Sequence, residues 1–125
     1  MPDLPAPIRA YIDAYNARDV EAMLGCLTER VQFRNISGGE VTAEAAGRQG
    51  FAELAQAGVA AFGARHQSVT HAITVGALTL AEIDFTATVA ADLPNGWTKG
   101  QQLAFSGASA FRLEGDLIAE ITAQS

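Results

Sequence analysis

Leu80-Ala81-Glu82-Ile83-Asp84-Phe85-Thr86-Ala87-Thr88-Val89-Ala90-Ala91 is the stretch on which the fold turns. Ile83, Phe85, Ala87 and Val89 fall on one face, and Glu82, Asp84, Thr86 and Thr88 on the other. A period of two, rich in β-branched and aromatic residues, predicts a strand with one side buried. The same character recurs from Arg65 to Val75, from Gln101 to Leu113 and from Leu117 to Ala123. Leu93-Pro94-Asn95-Gly96 and Glu114-Gly115-Asp116 carry chain-reversing residues, so these strands are expected to form an antiparallel meander. The two strands flanking the Pro-Asn-Gly turn exceed the usual length of about 5–6 residues and must twist and bend.

Upstream the period changes. From Pro7, Ile8, Tyr11, Ile12 and Tyr15 recur at helical spacing, and proline is tolerated in a first turn. Asn16 to Asp19 breaks the pattern, Asp19 can cap a second helix, and Val20, Met23, Leu24 and Leu27 form its stripe. Val31, Phe33 and Asn35 alternate as a strand whose buried face ends in a polar side chain. Ser37-Gly38-Gly39 reads as a turn, Glu40 to Ala46 as a short strand, and Phe51, Leu54, Ala55, Val59 and Phe62 as a third helical stripe weakened by Gly58. Helices followed by a run of strands is the α+β pattern. The expectation is one domain, residues 1–125, with N-terminal helices packed in the concave face of a strongly curved antiparallel sheet.

Composition narrows the function. The 125 residues are 49% hydrophobic, enough for one core without a metal or disulfide. The net charge is −6, and the eight Lys and Arg residues are scattered, so no nucleic acid partner is expected. Met1 to Pro7 lacks a basic patch followed by an apolar run, no stretch is long enough to span a bilayer, and a cytoplasmic protein is the default. Cys26 lies in an apolar helical pattern and reads as core. With two His and one Cys, no zinc site or other cofactor is expected.

Three segments carry a family resemblance: Tyr11-Ile12-Asp13-Ala14-Tyr15-Asn16-Ala17-Arg18-Asp19, the strand after Glu29-Arg30, and Phe111-Arg112-Leu113-Glu114-Gly115-Asp116-Leu117-Ile118. Through them the chain resembles, over nearly its whole length, the nuclear transport factor 2-like superfamily and its SnoaL-like branch. The resemblance implies a cone-shaped, cystatin-like barrel. Its pocket serves isomerases, dehydratases, epoxide hydrolases, polyketide cyclases and non-catalytic transport factors, and its members commonly form homodimers through the outer sheet face. Such a fold does not choose the reaction.

Measured against ketosteroid isomerase, Tyr11 looks like the oxyanion-binding Tyr. Asn35 stands where the base Asp would be, and an amide cannot take a proton from carbon. Ser109 stands at the protonated Asp, leaving a hydroxyl that can donate one hydrogen bond. Scytalone dehydratase relatives resemble the chain at Tyr15 and His66, and imidazole is a base near neutral pH. Their neighbouring Asp is Asn16 here, and no second His stands near Ala90. His66 alone reads first as a side chain decorating a strand start. His71 shares parity with Val69, Ile73 and Val75 and is expected on an apolar face, hydrogen-bonded in the core or an interface. Asp84 and Asp13 are expected on exposed faces, so the paired carboxylates of limonene epoxide hydrolase have no match.

Tyr11, Asn35 and Ser109 would form a polar, uncharged set that orients a ligand oxygen, with Phe33, Phe51 and Phe111 as apolar neighbours. Trp97 either packs under its own strand or covers a pocket mouth or partner surface. Three functions remain open. One is an isomerase, dehydratase or cyclase acting on a small apolar oxygenated molecule, with Tyr11 or Tyr15 and His66 as acid and base. The second is a non-catalytic binding module, and the third a dimeric interaction protein.

Overall fold

The computed structural model describes residues 3–125, so the leader reading of Met1–Pro7 falls partly outside the described residues. Helix α1 spans Ala6–Asn16, with Pro at its first positions, where no backbone donor is lost. It ends on Arg18, which adopts φ 59°. The Asp19 amide bonds the Ala14 carbonyl and the Arg18 amide the Tyr15 carbonyl, each at 3.0 Å, closing the helix end in a left-handed cap. Asp19 then caps α2, Val20–Gly25, accepting from the Ala22 amide at 3.1 Å. Leu27, placed by its spacing in the second helix, is instead the first residue of strand β1, Leu27–Ser37, and is fully buried. Strand β2, Glu40–Ala46, and helix α3, Gly47–Ala61, follow.

Four strands complete the chain: β3 Phe62–Val75, β4 Leu78–Val89, β5 Gln102–Glu114 and β6 Leu117–Gln124. The six-stranded sheet runs β2-β1-β6-β5-β4-β3. Its last four strands form the expected antiparallel meander. The expectation of an all-antiparallel sheet is corrected at one place: β1 lies parallel to β6, so the sheet is mixed, and it stays open with β2 and β3 at its edges. Val31 of the first strand and Ile121 of the last are both buried in the core.

Register shifts bend the strands between Asn35 and Ile36, Val69 and His71, and Arg112 and Leu113. An extra residue in one strand of a pair kinks it and increases its twist, so the sheet curves around α1 and α3. The core joins Ile8, Tyr11 and Ile12 of α1 and Phe51 and Ala55 of α3 to Ile83, Phe111, Ile118 and Ile121 of the sheet. Gly107 on β5 is fixed by a close approach, because a Cβ there would collide with the Gln124 carbonyl.

The shift at Thr70 also reverses an expectation. Val69 pairs with Ile83, but His71 pairs with Glu82, so Thr70 is the extra residue and parity inverts across it. Val69 packs against the core, whereas His71, Ile73 and Val75 lie exposed on the outer face. His71 therefore leaves the apolar core face and bonds the Glu82 carboxylate at 2.9 Å. Cys26, expected in the core, is half-buried at the end of α2, with its thiol 3.4 Å from the Ala22 carbonyl.

Candidate functional site

The curved sheet and the helices leave a cavity of about 410 Å³, within the range of small-molecule sites. Two aromatic groups wall it. In the first, Tyr11 lies edge-on to Phe111 at 6.0 Å and tilted to Phe51 at 6.2 Å, and Phe33 meets Phe51 at 5.5 Å. In the second, Phe62 meets Phe85 at 6.0 Å and Trp97 at 6.2 Å, and Phe85 meets Phe105 at 5.0 Å. Trp97 reaches the wall from the 90–101 loop between β4 and β5. That loop is longer than the expected turn and is tied internally: the Lys99 amide bonds Asp92 at 2.9 Å and the Leu93 amide bonds the Trp97 carbonyl at 2.8 Å.

Tyr11, Asn35 and Ser109, drawn together by the sequence reading, all line this cavity. Burial pushes the Tyr11 phenol far above its ordinary range, and the neighbouring Tyr15 adds to the shift. Tyr11 therefore stays protonated and keeps its donor. Neither Tyr11 nor Ser109 spends its hydroxyl on a protein partner among the described residues. Asn35 commits its amide nitrogen to Thr42 at 2.8 Å.

Tyr15 brings a residue the sequence reading missed. Strand β3 carries Arg65 inward, 7% exposed, with its guanidinium carbon 3.8 Å above the Tyr15 ring centre. Burial raises the Tyr15 phenol, and the charge of Arg65 pulls it partly back. Asn16, next in α1, locks this arrangement. Its amide nitrogen donates to the Gln67 carbonyl at 3.0 Å and its oxygen accepts from the Gln67 amide at 2.8 Å. The position where dehydratase relatives carry Asp is thus a two-way clamp between α1 and β3. On α3, Gly58 makes room for Arg65, since a Cβ there would stand 3.1 Å from Nη1.

His66 does not join the tyrosines. It follows Arg65 on the strand, so it points to the other face, is exposed, and is absent from the cavity wall. Asp84 is likewise exposed and accepts from the Ser106 hydroxyl at 2.7 Å, and Asp13 is exposed on α1. Among the described residues the wall includes no Asp, Glu or His. The signal for Arg65 was present in the alternation: it shares parity with Gln67 and apolar Val69, whereas His66 shares it with Ser68. No group of three potential metal ligands occurs among the described residues, and none of the described helices is long and apolar enough to cross a membrane.

Comparison with known proteins agrees with this architecture. Among solved structures, an uncharacterized cystatin-fold protein from Novosphingobium aromaticivorans superposes with a TM-score of 0.72 at 22% identity, covering 94% of this chain and 93% of that one. A candidate polyketide cyclase from Silicibacter sp. TM1040 gives 0.74 at 25% identity over 94% and 84%. An LEH-like epoxide hydrolase from M. tuberculosis gives 0.75 at 14% identity over 96% and 80%. No curated protein matches the sequence. The family model described as the SnoaL-like domain matches residues 8–121. With nearly every element inside that span, the chain belongs to the SnoaL-like domain family.

Proposed function

We propose that the protein binds one small, mainly apolar, oxygen-bearing molecule in the cavity, oriented by hydrogen bonds from Tyr11 and Ser109. The observation that carries this is an unfilled hollow of about 410 Å³ with two aromatic walls and two hydroxyls uncommitted among the described residues. Aromatic walls supply burial for a ring system, and a few convergent donors supply orientation. Binding is preferred over acid–base turnover because His66 and Asp84, the candidate proton acceptors, lie on exposed faces. The catalytic reading keeps one point in its favour: Tyr11, held protonated by burial, can polarise a ligand carbonyl.

The test uses Trp97, the single tryptophan of the chain. Its fluorescence is titrated with two-ring aromatic alcohols, ketones and amides, alongside Ala123→Phe, which narrows the cavity from β6 and adds no second tryptophan. Saturable quenching that Ala123→Phe abolishes in a folded protein is expected. No saturable response to any of these probes would defeat the reading. A second copy is the proposed partner for the outer sheet face, where Ile73 is 65% and Val75 78% exposed. Sedimentation showing a monomer at high concentration would defeat that pairing.

A further inference from the structure

Arg65 is a buried cation with no counter-charge. It forms no ion pair among the described residues, and its Nε and Nη2 are out of contact with solvent and have no hydrogen-bond partner among the described residues. The guanidinium lies between the Tyr15 ring, 3.8 Å from its carbon, and the α3 backbone at Gly58, where even a methyl group would crowd Nη1. Its plane is therefore fixed before any ligand arrives. A guanidinium carries five N–H donors in a planar fork that pairs with a carboxylate. In Arg65 two of the three nitrogens are unused, and the side chain lines the cavity.

We propose that Arg65 makes the cavity a receptor for an apolar monocarboxylate, such as an aromatic or alicyclic acid, whose carboxylate pairs with the guanidinium where it lines the cavity while its ring lies between the aromatic walls. This rests on the reading of the cavity as a small-molecule site and adds the class of ligand. A single charge is required because Arg65 is the only Lys, Arg or His in the wall among the described residues. A phosphate dianion would bring a second charge into an aromatic box with nothing to neutralise it. A planar, two-oxygen group fits the guanidinium fork, which a spherical anion does not.

The experiment compares 2-naphthoate with its neutral isostere 2-naphthamide, followed by Trp97 fluorescence and by calorimetry. In the wild-type protein the acid is expected to bind on the order of tenfold or more tightly than the amide, as a bidentate charged pair does over a neutral one. Arg65→Met should abolish that preference by weakening the acid and leaving the amide within about twofold. Gly58→Ala, which presses a methyl group on Nη1 while retaining the charge, should reduce the preference and covers the case in which Arg65→Met fails to fold. Equal binding of acid and amide to the wild type overturns the role of Arg65 and leaves the small-molecule reading standing. If neither compound binds, both readings fall. A preference for the acid that survives Arg65→Met also overturns the proposal.

Discussion

In the ligand-free protein, Arg65→Met should raise stability. Arg65 is 7% exposed and leaves Nε and Nη2 without partners among the described residues. Each buried donor left unmade costs about 1–3 kcal/mol, so the pair costs roughly 2–6 kcal/mol. Against this, a desolvated cation over an aromatic ring returns about 2 kcal/mol, here from Tyr15. Methionine keeps most of the apolar stem and can lay its sulfur on the same ring for about 1 kcal/mol. The difference favours the variant by about 3 kcal/mol at mid-range, or roughly 9–15 °C in Tm for a domain of this size. Differential scanning calorimetry on both proteins without ligand reads the shift. A Tm lowered by several degrees would refute the reasoning, because it would mean that Arg65 anchors the fold.

Asn16→Asp replaces a donor by a carboxylate oxygen facing the Gln67 carbonyl, and should cost about 1–3 kcal/mol in urea denaturation near neutral pH; an unchanged midpoint would remove the clamp from the account. Gly107→Ala must displace the Gln124 carbonyl and should destabilise by at least about 1–3 kcal/mol, as forced overpacking does, with faster hydrogen exchange at the end of β6. A neutral outcome would show that the close approach is not maintained. Both tyrosines are held neutral by burial. The unfolded chain therefore loses phenolic protons first above the ordinary value of 10.0, and stability should fall as pH rises from there by up to about 1.4 kcal/mol per unit per tyrosine. A flat stability profile through alkaline pH would contradict their burial.

The sequence revealed elements wherever periodicity was local. The stripes of Ile8, Tyr11 and Ile12 and of Phe51 and Ala55, and the alternation of Ile83, Ala87 and Val89, all became buried faces. The side-by-side run of β1 and β6 was not legible, because strand order depends on pairing between chain ends and leaves no periodic trace. Leu27 kept helical spacing by coincidence, since a strand's first residue can continue a stripe. The inversion at Thr70 hid because Val69-Thr70-His71-Ala72-Ile73 alternates without a Gly or Pro to mark the shift. Of the candidate site, Tyr11, Tyr15, Phe33, Asn35, Phe51, Trp97, Ser109 and Phe111 were found through spacing and resemblance, and all line the cavity. Arg65 was overlooked because the ring it lies against, Tyr15, is remote in sequence, and the room left for it by Gly58 on the preceding helix has no periodic signature.

Thr70 lets one strand serve two surfaces. Were it deleted, Val69 on Ile83 and His71 on Glu82 would become neighbouring rungs of an unbroken ladder, and both halves of β3 would keep their present facing. What would go is the kink that the extra residue introduces, and with it part of the bend that hollows the sheet. The room offered to a guest is thus written in the count of residues along one strand as much as in their identity.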